Sequence, residues 1–320
     1  MNANYRTGLP QLNGYDVTTT GGMETWLQFV DGFELQHFCF FDLLNNPKAV
    51  EALTDYHRKV IEAVLPYGFG VLIEGLHYRA SRDWGELIGY SQESLKEINI
   101  RGIELYRELA DEYETNDNPM PVGGVIGPRG DAYRIGRTPN ASEAEEYHAE
   151  QIETLKLAGA DLISAITFSS VPEAIGVARA AKSYDMPVVI SFLAKNAGRL
   201  ESGETMREAI EQVDAATNSA PAYYMINCCH PTEFAPAFEE QGWTRRLGGF
   251  MPNAVAMEKL SLCKLGHLED GDPNQLGVQM AELAIRFPHI SVWGGCCGTD
   301  SRHLGQIARR VKEVRQRLNQ

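Results

Sequence analysis

Residues Pro187-Val-Val-Ile-Ser-Phe192 form a short apolar run without a charged side chain, and an amphipathic stretch lies on each side of it. The preceding stretch, 173–182, and the following stretch, 205–216, repeat apolar residues with the period of a helix. An uncharged run of this length is typical of a strand that is buried on both faces, as in a parallel sheet covered by helices. This segment therefore predicts a helix–strand–helix unit of an α/β fold.

The same alternation of short apolar runs and amphipathic stretches continues along the chain. Eight candidate strands are found, at 15–19, 70–73, 122–126, 161–165, 187–192, 223–226, 247–250 and 290–293. Eight strands alternating with helices predict a (β/α)8 TIM barrel, with residues 1–320 as a single domain. The competing architecture is a doubly wound open sheet. It usually carries a G-x-G-x-x-G phosphate turn after its first strand, and this sequence has no such motif.

The charge balance limits the classes of partner. The chain has 29 Lys and Arg against 43 Asp and Glu, a formal net charge of −14. Nucleic acids and anionic membranes both require a basic patch, so the sequence predicts neither as a partner. It also has no apolar run typical of a membrane span or a secretory signal, which predicts a cytoplasmic protein. In a reducing compartment, its six unevenly spaced cysteines indicate metal binding or catalysis rather than disulfides.

Four of the six cysteines occur as adjacent pairs directly after predicted strands. Asn227-Cys-Cys-His230 follows the sixth strand, and Gly294-Gly-Cys-Cys-Gly298 follows the eighth. The carboxyl ends of barrel strands form the face that carries active sites. Thiolates select zinc, and a catalytic zinc site usually has three protein ligands and one open position. Adjacent strand residues point to opposite faces, so Cys296 and Cys297 reach one metal ion only at a turn, which the flanking glycines permit.

Other histidines and cysteines near this pattern are weaker candidates. His230 and His303 lie near the paired cysteines in sequence, but a lone histidine is more often a packing residue than a zinc ligand. The isolated Cys39 and Cys263 are typical of small buried apolar residues. The pattern therefore predicts a site made of the pair after the eighth strand and one thiolate after the sixth.

The sequence around these cysteines resembles the homocysteine S-methyltransferase family. That family carries Asn-Cys after its sixth strand and Gly-Gly-Cys-Cys after its eighth, and its three cysteines hold zinc. Weaker matches at Gly21-Gly-Met23 and Val122-Gly-Gly-Val-Ile-Gly-Pro128 occur in the same order, so the resemblance covers nearly the whole chain. By this resemblance the Zn²⁺ ligands are three cysteines: Cys228, Cys296 and Cys297. The neighbouring Cys229 lies outside this set.

The resemblance implies a zinc-dependent S-methyltransferase. Such an enzyme moves a methyl group from a sulfonium or quaternary ammonium donor to a thiol such as homocysteine, in methionine biosynthesis. Its partners are therefore two small molecules, the thiol acceptor and the methyl donor. The residues expected to contact substrate are Gly21, Gly22, Glu24, Thr167 and Asn227.

Two positions depart from the family pattern where it binds the amino acid. The family usually has an acidic residue before the N-terminal glycines, where this chain has Thr20. It also has a Glu at the end of its fourth strand, where this chain has Ile166, which cannot bind an ammonium group. If homocysteine is the acceptor, Glu24 is expected to supply the replacement carboxylate. A thiol without an α-amino group needs no such carboxylate.

Two other functions fit the same cysteine pattern. A zinc hydrolase or lyase holds water in the open metal position and needs a nearby base, for which His77 or Glu74 is available. A metal-storage protein is the third possibility, but a whole barrel with one thiolate site argues against storage.

Overall fold

The computed structural model describes residues 3–133, 138–194, 198–238, 242–257 and 266–318. Its strands form one parallel sheet: β1 (Val17–Thr18), β2 (Gly70–Val71), β3 (Ile73–Glu74), β4 (Val122–Ile126), β5 (Leu162–Phe168), β6 (Val188–Leu193), β7 (Tyr223–Asn227), β8 (Leu247–Met251) and β9 (Val292–Trp293). Cys263, expected to be a buried lone cysteine, lies outside the described residues.

One chain segment closes this sheet into a barrel. β2 pairs with β1, whereas β3, which begins two residues after β2 ends, pairs with β4. β2 and β3 are therefore two halves of one barrel strand, interrupted at Leu72, and β1 also pairs with β9. The nine strands thus correspond to eight barrel positions. The predicted (β/α)8 barrel is confirmed.

Helices and short helical turns connect the strands. The α-helices are α1 (Met23–Phe29), α2 (Pro47–Val64), α3 (Arg82–Leu87), α4 (Gln92–Tyr113), α5 (Ala141–Ala158), α6 (Val171–Ser183), α7 (Met206–Thr217), α8 (Pro231–Phe234), α9 (Pro273–Arg286) and α10 (Ser301–Leu318). The 3₁₀ turns are Pro10–Leu12, Gln36–Phe38, Phe40–Asn45, Leu65–Tyr67, Leu76–Arg79, Ala235–Ala237 and Gly242–Arg246. Within the part of the chain that the structure describes, no helix is both long and apolar enough to cross a membrane.

Side-chain caps begin several of the helices, including α5 and α7. The Asn140 side chain accepts hydrogen bonds from the backbone N–H of Ser142 and of Glu143 at the start of α5. The Glu143 carboxylate in turn accepts from the Asn140 N–H at 3.1 Å, which completes a capping box. Thr205 and Glu208 make the same reciprocal pair before α7. These caps satisfy N–H groups that have no partner within the helix, and they fix where each helix begins.

Apolar side chains fill two regions of the barrel. A larger core lies between the sheet and the helices, and a smaller one fills the barrel interior. The interior cluster includes Leu9, Val17, Leu72, Leu162, Val189, Tyr223, Met225, Met251 and Val292. Strand residues alternate between faces, so the residues two positions further along a strand also point inward. By this rule the next interior layer, towards the carboxyl ends, is polar: Glu74, Ser164, Ser191 and Asn227.

Candidate metal centre

Three cysteine sulfurs converge at the carboxyl ends of β7 and β9. The Sγ atom of Cys228 lies 2.8 Å from that of Cys296, which lies 4.0 Å from the Sγ of Cys297. The three sulfurs all lie within 4.8 Å of one another. Among the described residues, no other group of three or more metal-binding side chains comes this close together. The structure thus brings together the three cysteines that the sequence identified as candidate ligands.

Backbone turns allow cysteines from regular strands to meet. Cys228 adopts a φ of 58°, in the left-handed region, and this breaks the alternation of β7 directly after its last residue. After β9 the chain turns through Cys296, whose carbonyl oxygen accepts a hydrogen bond from the Thr299 N–H at 3.0 Å. Gly298 has a φ of 80°, which a residue with a side chain rarely adopts. Two adjacent cysteines can therefore face the same point.

The N-terminal glycines lie against this turn. A side chain at Gly22 would collide with the carbonyl oxygen of Cys296, so only glycine permits the close approach. The Gly22 N–H donates to the Thr299 carbonyl at 2.9 Å, and the Thr25 hydroxyl accepts from the Gly298 N–H at 3.2 Å. The start of α1, which carries Glu24 in its first turn, is therefore fixed beside the cysteines.

Asn227 connects the cysteine site to the neighbouring strands. Its Oδ1 accepts from the Thr167 N–H at 3.1 Å and from the Ser191 hydroxyl at 2.7 Å. Its Nδ2 donates to the Thr167 Oγ1 at 2.9 Å and to the Cys228 Sγ at 3.3 Å. These four bonds use the full hydrogen-bonding capacity of the amide. In this arrangement Asn227, which the sequence suggested as a substrate contact, holds the Cys228 sulfur in place.

Tyr133 is a site residue that the sequence did not indicate. Its hydroxyl donates a hydrogen bond to the Cys228 Sγ at 3.2 Å, from the loop that follows β4. The buried Glu173 carboxylate anchors the same loop, because it accepts from the Arg129 N–H at 2.6 Å and contacts His148 Nε2 at 3.0 Å. A tyrosine in a loop has no periodicity and no motif, so no sequence signal marks it.

The thiols disfavour one another's ionisation. The pKa of Cys296 is raised well above its ordinary value, first by its hydrogen bond with Cys228, then by that with Cys297, and then by burial. Three thiolates cannot gather here without a compensating positive charge. A soft divalent cation supplies that charge and is the kind of ion that sulfur ligands select. The chemistry of the three donors therefore fits a zinc ion.

The remaining cysteine and histidine candidates lie outside this cluster. Cys229 is 4% exposed and packs in the core between the sheet and the helices, where burial raises its pKa. His230 caps α8 through its side chain, and the buried His303 contacts Asp300 at 3.2 Å. Cys39 is buried. These positions agree with the packing roles that the sequence indicated.

We expect Cys229→Ala to retain zinc. The side chain of Cys229 packs in the core and lies outside the cysteine cluster, so the free energy of unfolding should fall by only about 1 kcal/mol. Metal analysis of the purified variant and chemical denaturation check the two parts. Loss of the metal from this variant would show that Cys228 and Cys229 have been assigned in the wrong order.

The two base candidates of the hydrolase alternative lie in different environments. His77 is fully buried, its Nε2 lies 3.2 Å from the Asn99 carbonyl of α4, and burial lowers its pKa to about 4. It therefore packs against the helical layer. Glu74 points into the barrel, where burial raises its pKa to about 7. At the two positions where the family pattern is acidic, Thr20 donates to the Glu74 carbonyl at 3.3 Å and Ile166 is half-buried on β5.

Comparison with known proteins agrees with this architecture. The family model described as Homocysteine S-methyltransferase matches residues 18–311, and the chain therefore belongs to this family and is a methyltransferase. The fold is similar to that of the homocysteine methyltransferase MmuM from Escherichia coli. Its oxidized form has a TM-score of 0.76 at 20% sequence identity, with 96% of this chain and 100% of that chain covered. Its metallated form has a TM-score of 0.74 at 20% sequence identity, with 94% of this chain and 99% of that chain covered.

Proposed function

We propose that this protein is a zinc-dependent S-methyltransferase that transfers a methyl group from a sulfonium or quaternary ammonium donor to a thiol such as homocysteine. The observation that carries the proposal is the group of three sulfurs, within 4.8 Å of one another, at the catalytic end of the barrel. The family to which the chain belongs supports transfer to a thiol.

Three residues of this chain would hold the zinc ion: Cys228, Cys296 and Cys297. When bound, zinc lowers the pKa of a thiol that it coordinates, so that the thiol is a thiolate at neutral pH. Cys228 is 8% exposed and the other two are half-buried, so a small molecule entering the barrel mouth can reach the sulfurs. Asn227 and Tyr133 hold the Cys228 sulfur in position through their hydrogen bonds.

The transfer itself requires little acid or base chemistry from the protein. The acceptor thiol loses its proton to solvent, and its sulfur attacks the methyl carbon of the donor. A sulfur–carbon bond forms while the bond from the methyl carbon to the donor's S⁺ or N⁺ breaks, and the electron pair remains on the donor. The positive charge of the donor and the negative charge of the thiolate disappear together. The protein therefore contributes mainly by placing the two reactants in line.

Glu24 is proposed to bind the ammonium group of an amino-acid acceptor. It is half-buried in the first turn of α1, beside the Gly22 contact to Cys296. Gly21, Gly22 and Thr167 are proposed to shape the same mouth, and the two glycines permit the close approach of α1. This assignment supplies the carboxylate that is missing at Ile166 on β5, where the family pattern has a Glu.

We expect Glu24→Gln to raise the KM for homocysteine about tenfold or more, because a charge-assisted hydrogen bond to the ammonium group is lost. A thiol without an amino group should bind almost equally to both proteins. Ile166→Glu should then improve homocysteine binding little, and it should weaken binding of an amine-free thiol by adding an unpaired charge. Steady-state kinetics with both thiols provides the measurement. An unchanged KM for both thiols in Glu24→Gln would mean that Glu24 does not bind the acceptor.

The proposed function is tested with the zinc-loaded protein, homocysteine, and either S-methylmethionine or betaine, with methionine as the measured product. Cobalt substitution gives an independent measurement, because only a true acceptor should add a fourth sulfur to the metal spectrum. Methionine formation supports the proposal. Water-dependent cleavage of a substrate without methyl transfer would favour the hydrolase alternative instead.

A further inference from the structure

A buried carboxylate lies inside the barrel, and no cationic side chain among the described residues acts on it. Glu74 is the last residue of β3 and is 4% exposed. It occupies the interior position two residues beyond Leu72, in the polar layer next to the mouth. The adjacent strand makes room for it, since a side chain at Gly123 would begin 3.2 Å from the Glu74 Cγ. The fold therefore directs this side chain towards the barrel axis.

The surroundings of Glu74 do not satisfy its charge. Its Oε1 atom is buried and has no hydrogen-bond partner among the residues described. After burial, which raises the pKa of Glu74, the largest influence on it is the nearby Ser164 hydroxyl, which lowers it, although this hydroxyl makes no well-formed hydrogen bond to a described residue. Burial and the negative charge of Glu24 both act in the opposite direction and raise the pKa to about 7. An unpaired buried carboxylate is costly, so a cation that is not part of the protein fits this position.

Glu74 belongs to the same mouth as the cysteine cluster. Its carbonyl oxygen accepts from the Thr20 hydroxyl at 3.3 Å. Thr20 is followed by the glycines at 21 and 22, the second of which lies against the Cys296 carbonyl. Glu24 follows on the same segment, and its charge acts on Glu74. The segment 20–24 thus contacts both the cysteine turn and β3, and it places the Glu24 carboxylate where its negative charge acts on that of Glu74.

We propose that Glu74 is a cation-binding residue of this site, which together with Glu24 binds the positively charged group of a substrate. An ammonium group has three N–H donors and can bond to two carboxylates at once. It would also relieve the repulsion between them. The inference rests on the proposed methyl transfer, in which the acceptor's ammonium group and the donor's onium group are the two sources of such a charge.

The test compares zinc-loaded wild type with Glu74→Gln, and with Glu112→Gln as a control for an exposed carboxylate on α4. The acceptors are homocysteine and 4-mercaptobutyrate, which lacks only the amino group, and the donor is S-methylmethionine. We expect Glu74→Gln to raise the KM for homocysteine tenfold or more while the KM for 4-mercaptobutyrate is unchanged. In the double variant with Glu24→Gln, the combined effect should be smaller than the product of the two single effects.

A rise in the KM for S-methylmethionine alone would also support a cation site, with the donor as its ligand. Because S-methylmethionine carries both an ammonium and a sulfonium group, the same measurement with betaine, which has an onium group and no α-ammonium group, then tells which of the two is bound. Unchanged KM values for all three substrates, with normal zinc content, would overturn the inference while leaving the proposed function intact.

Glu74→Gln should melt at the same temperature as wild type or higher, because it removes a buried charge. If wild type methylates no thiol, the proposed function fails, and calorimetric binding of homocysteine decides this inference separately. Weaker binding by Glu74→Gln supports it, and equal or absent binding overturns it.

Discussion

Cys296→Ala is expected to remove most of the zinc and all measurable methyl transfer. The three sulfurs form a compact triangle, in which that of Cys296 lies 2.8 Å from that of Cys228 and 4.0 Å from that of Cys297. Loss of the Cys296 sulfur leaves two thiolates, too few for the three protein ligands that a catalytic zinc site usually has. Atomic emission measures the zinc content of the variant, and methionine formation in the same sample measures its methyl-transfer activity.

Cys229→Ala is the matched control, since it removes a neighbouring thiol from the core and none from the metal site. The metal-free barrel should also remain folded, because an extensive apolar core surrounds the sheet. Circular dichroism before and after chelation checks this point. Full zinc occupancy in Cys296→Ala would contradict the assignment of the three cysteines as ligands. Gross unfolding after chelation would contradict the expectation that the barrel folds without its metal.

Asp161→Ala is expected to lower the free energy of unfolding by about 3–5 kcal/mol, because it leaves a buried charge without its partner. The Asp161 side chain is completely buried and lies 2.6 Å from Nη2 of Arg107, which is itself 5% exposed. It also accepts from the Val122 N–H at 2.8 Å and from the Tyr5 N–H at 2.9 Å. The substitution thus leaves three donors without their acceptor: the Arg107 guanidinium and the backbone N–H groups of Val122 and Tyr5. Urea denaturation followed by circular dichroism measures the change.

A surface pair provides the comparison for this prediction. Arg58 and Glu112 lie 3.0 Å apart but are 39% and 47% exposed. Replacing Glu112 with Ala should therefore cost less than about 1 kcal/mol, as exposed pairs usually do. If the two substitutions cost similar amounts, burial of the Asp161 pair would not be the source of its contribution.

The barrel was predictable because its strands have a strong local signal. The segment at 122–126 has the same bounds in sequence and structure, and the run at 187–192 differs from β6 (Val188–Leu193) by one residue at each end. Uncharged apolar runs are recognisable without knowledge of their neighbours. The cysteine pairs were recognisable for a related reason, since their positions directly after strands fix the end of the barrel at which they lie.

The rest of the site depends on contacts between distant segments. Tyr133 and Cys228, whose side chains form a hydrogen bond, are 95 residues apart in the sequence. The sequence near either residue does not indicate that contact. The sequence offered Glu74 only as a possible base. That its Oε1 has no hydrogen-bond partner among the described residues can be seen only from the three-dimensional arrangement of the neighbouring donors. The interruption at Leu72, which lets one segment close the barrel, is likewise set by pairing with two different strands.

The separation of the cysteines along the chain determines when a metal can bind. Cys228 and Cys296 are 68 residues apart and meet only because β8 lies between β7 and β9. An unfolded chain offers only local pairs of thiols, so it chelates zinc weakly, and the full set of ligands exists only after the barrel has closed. Loading of the proposed zinc site would therefore follow folding, and a ligand bound more tightly by the native state raises the apparent stability of that state by mass action. With the proposed zinc site, the metal content of a preparation would therefore report the fraction of molecules in which the barrel has folded correctly.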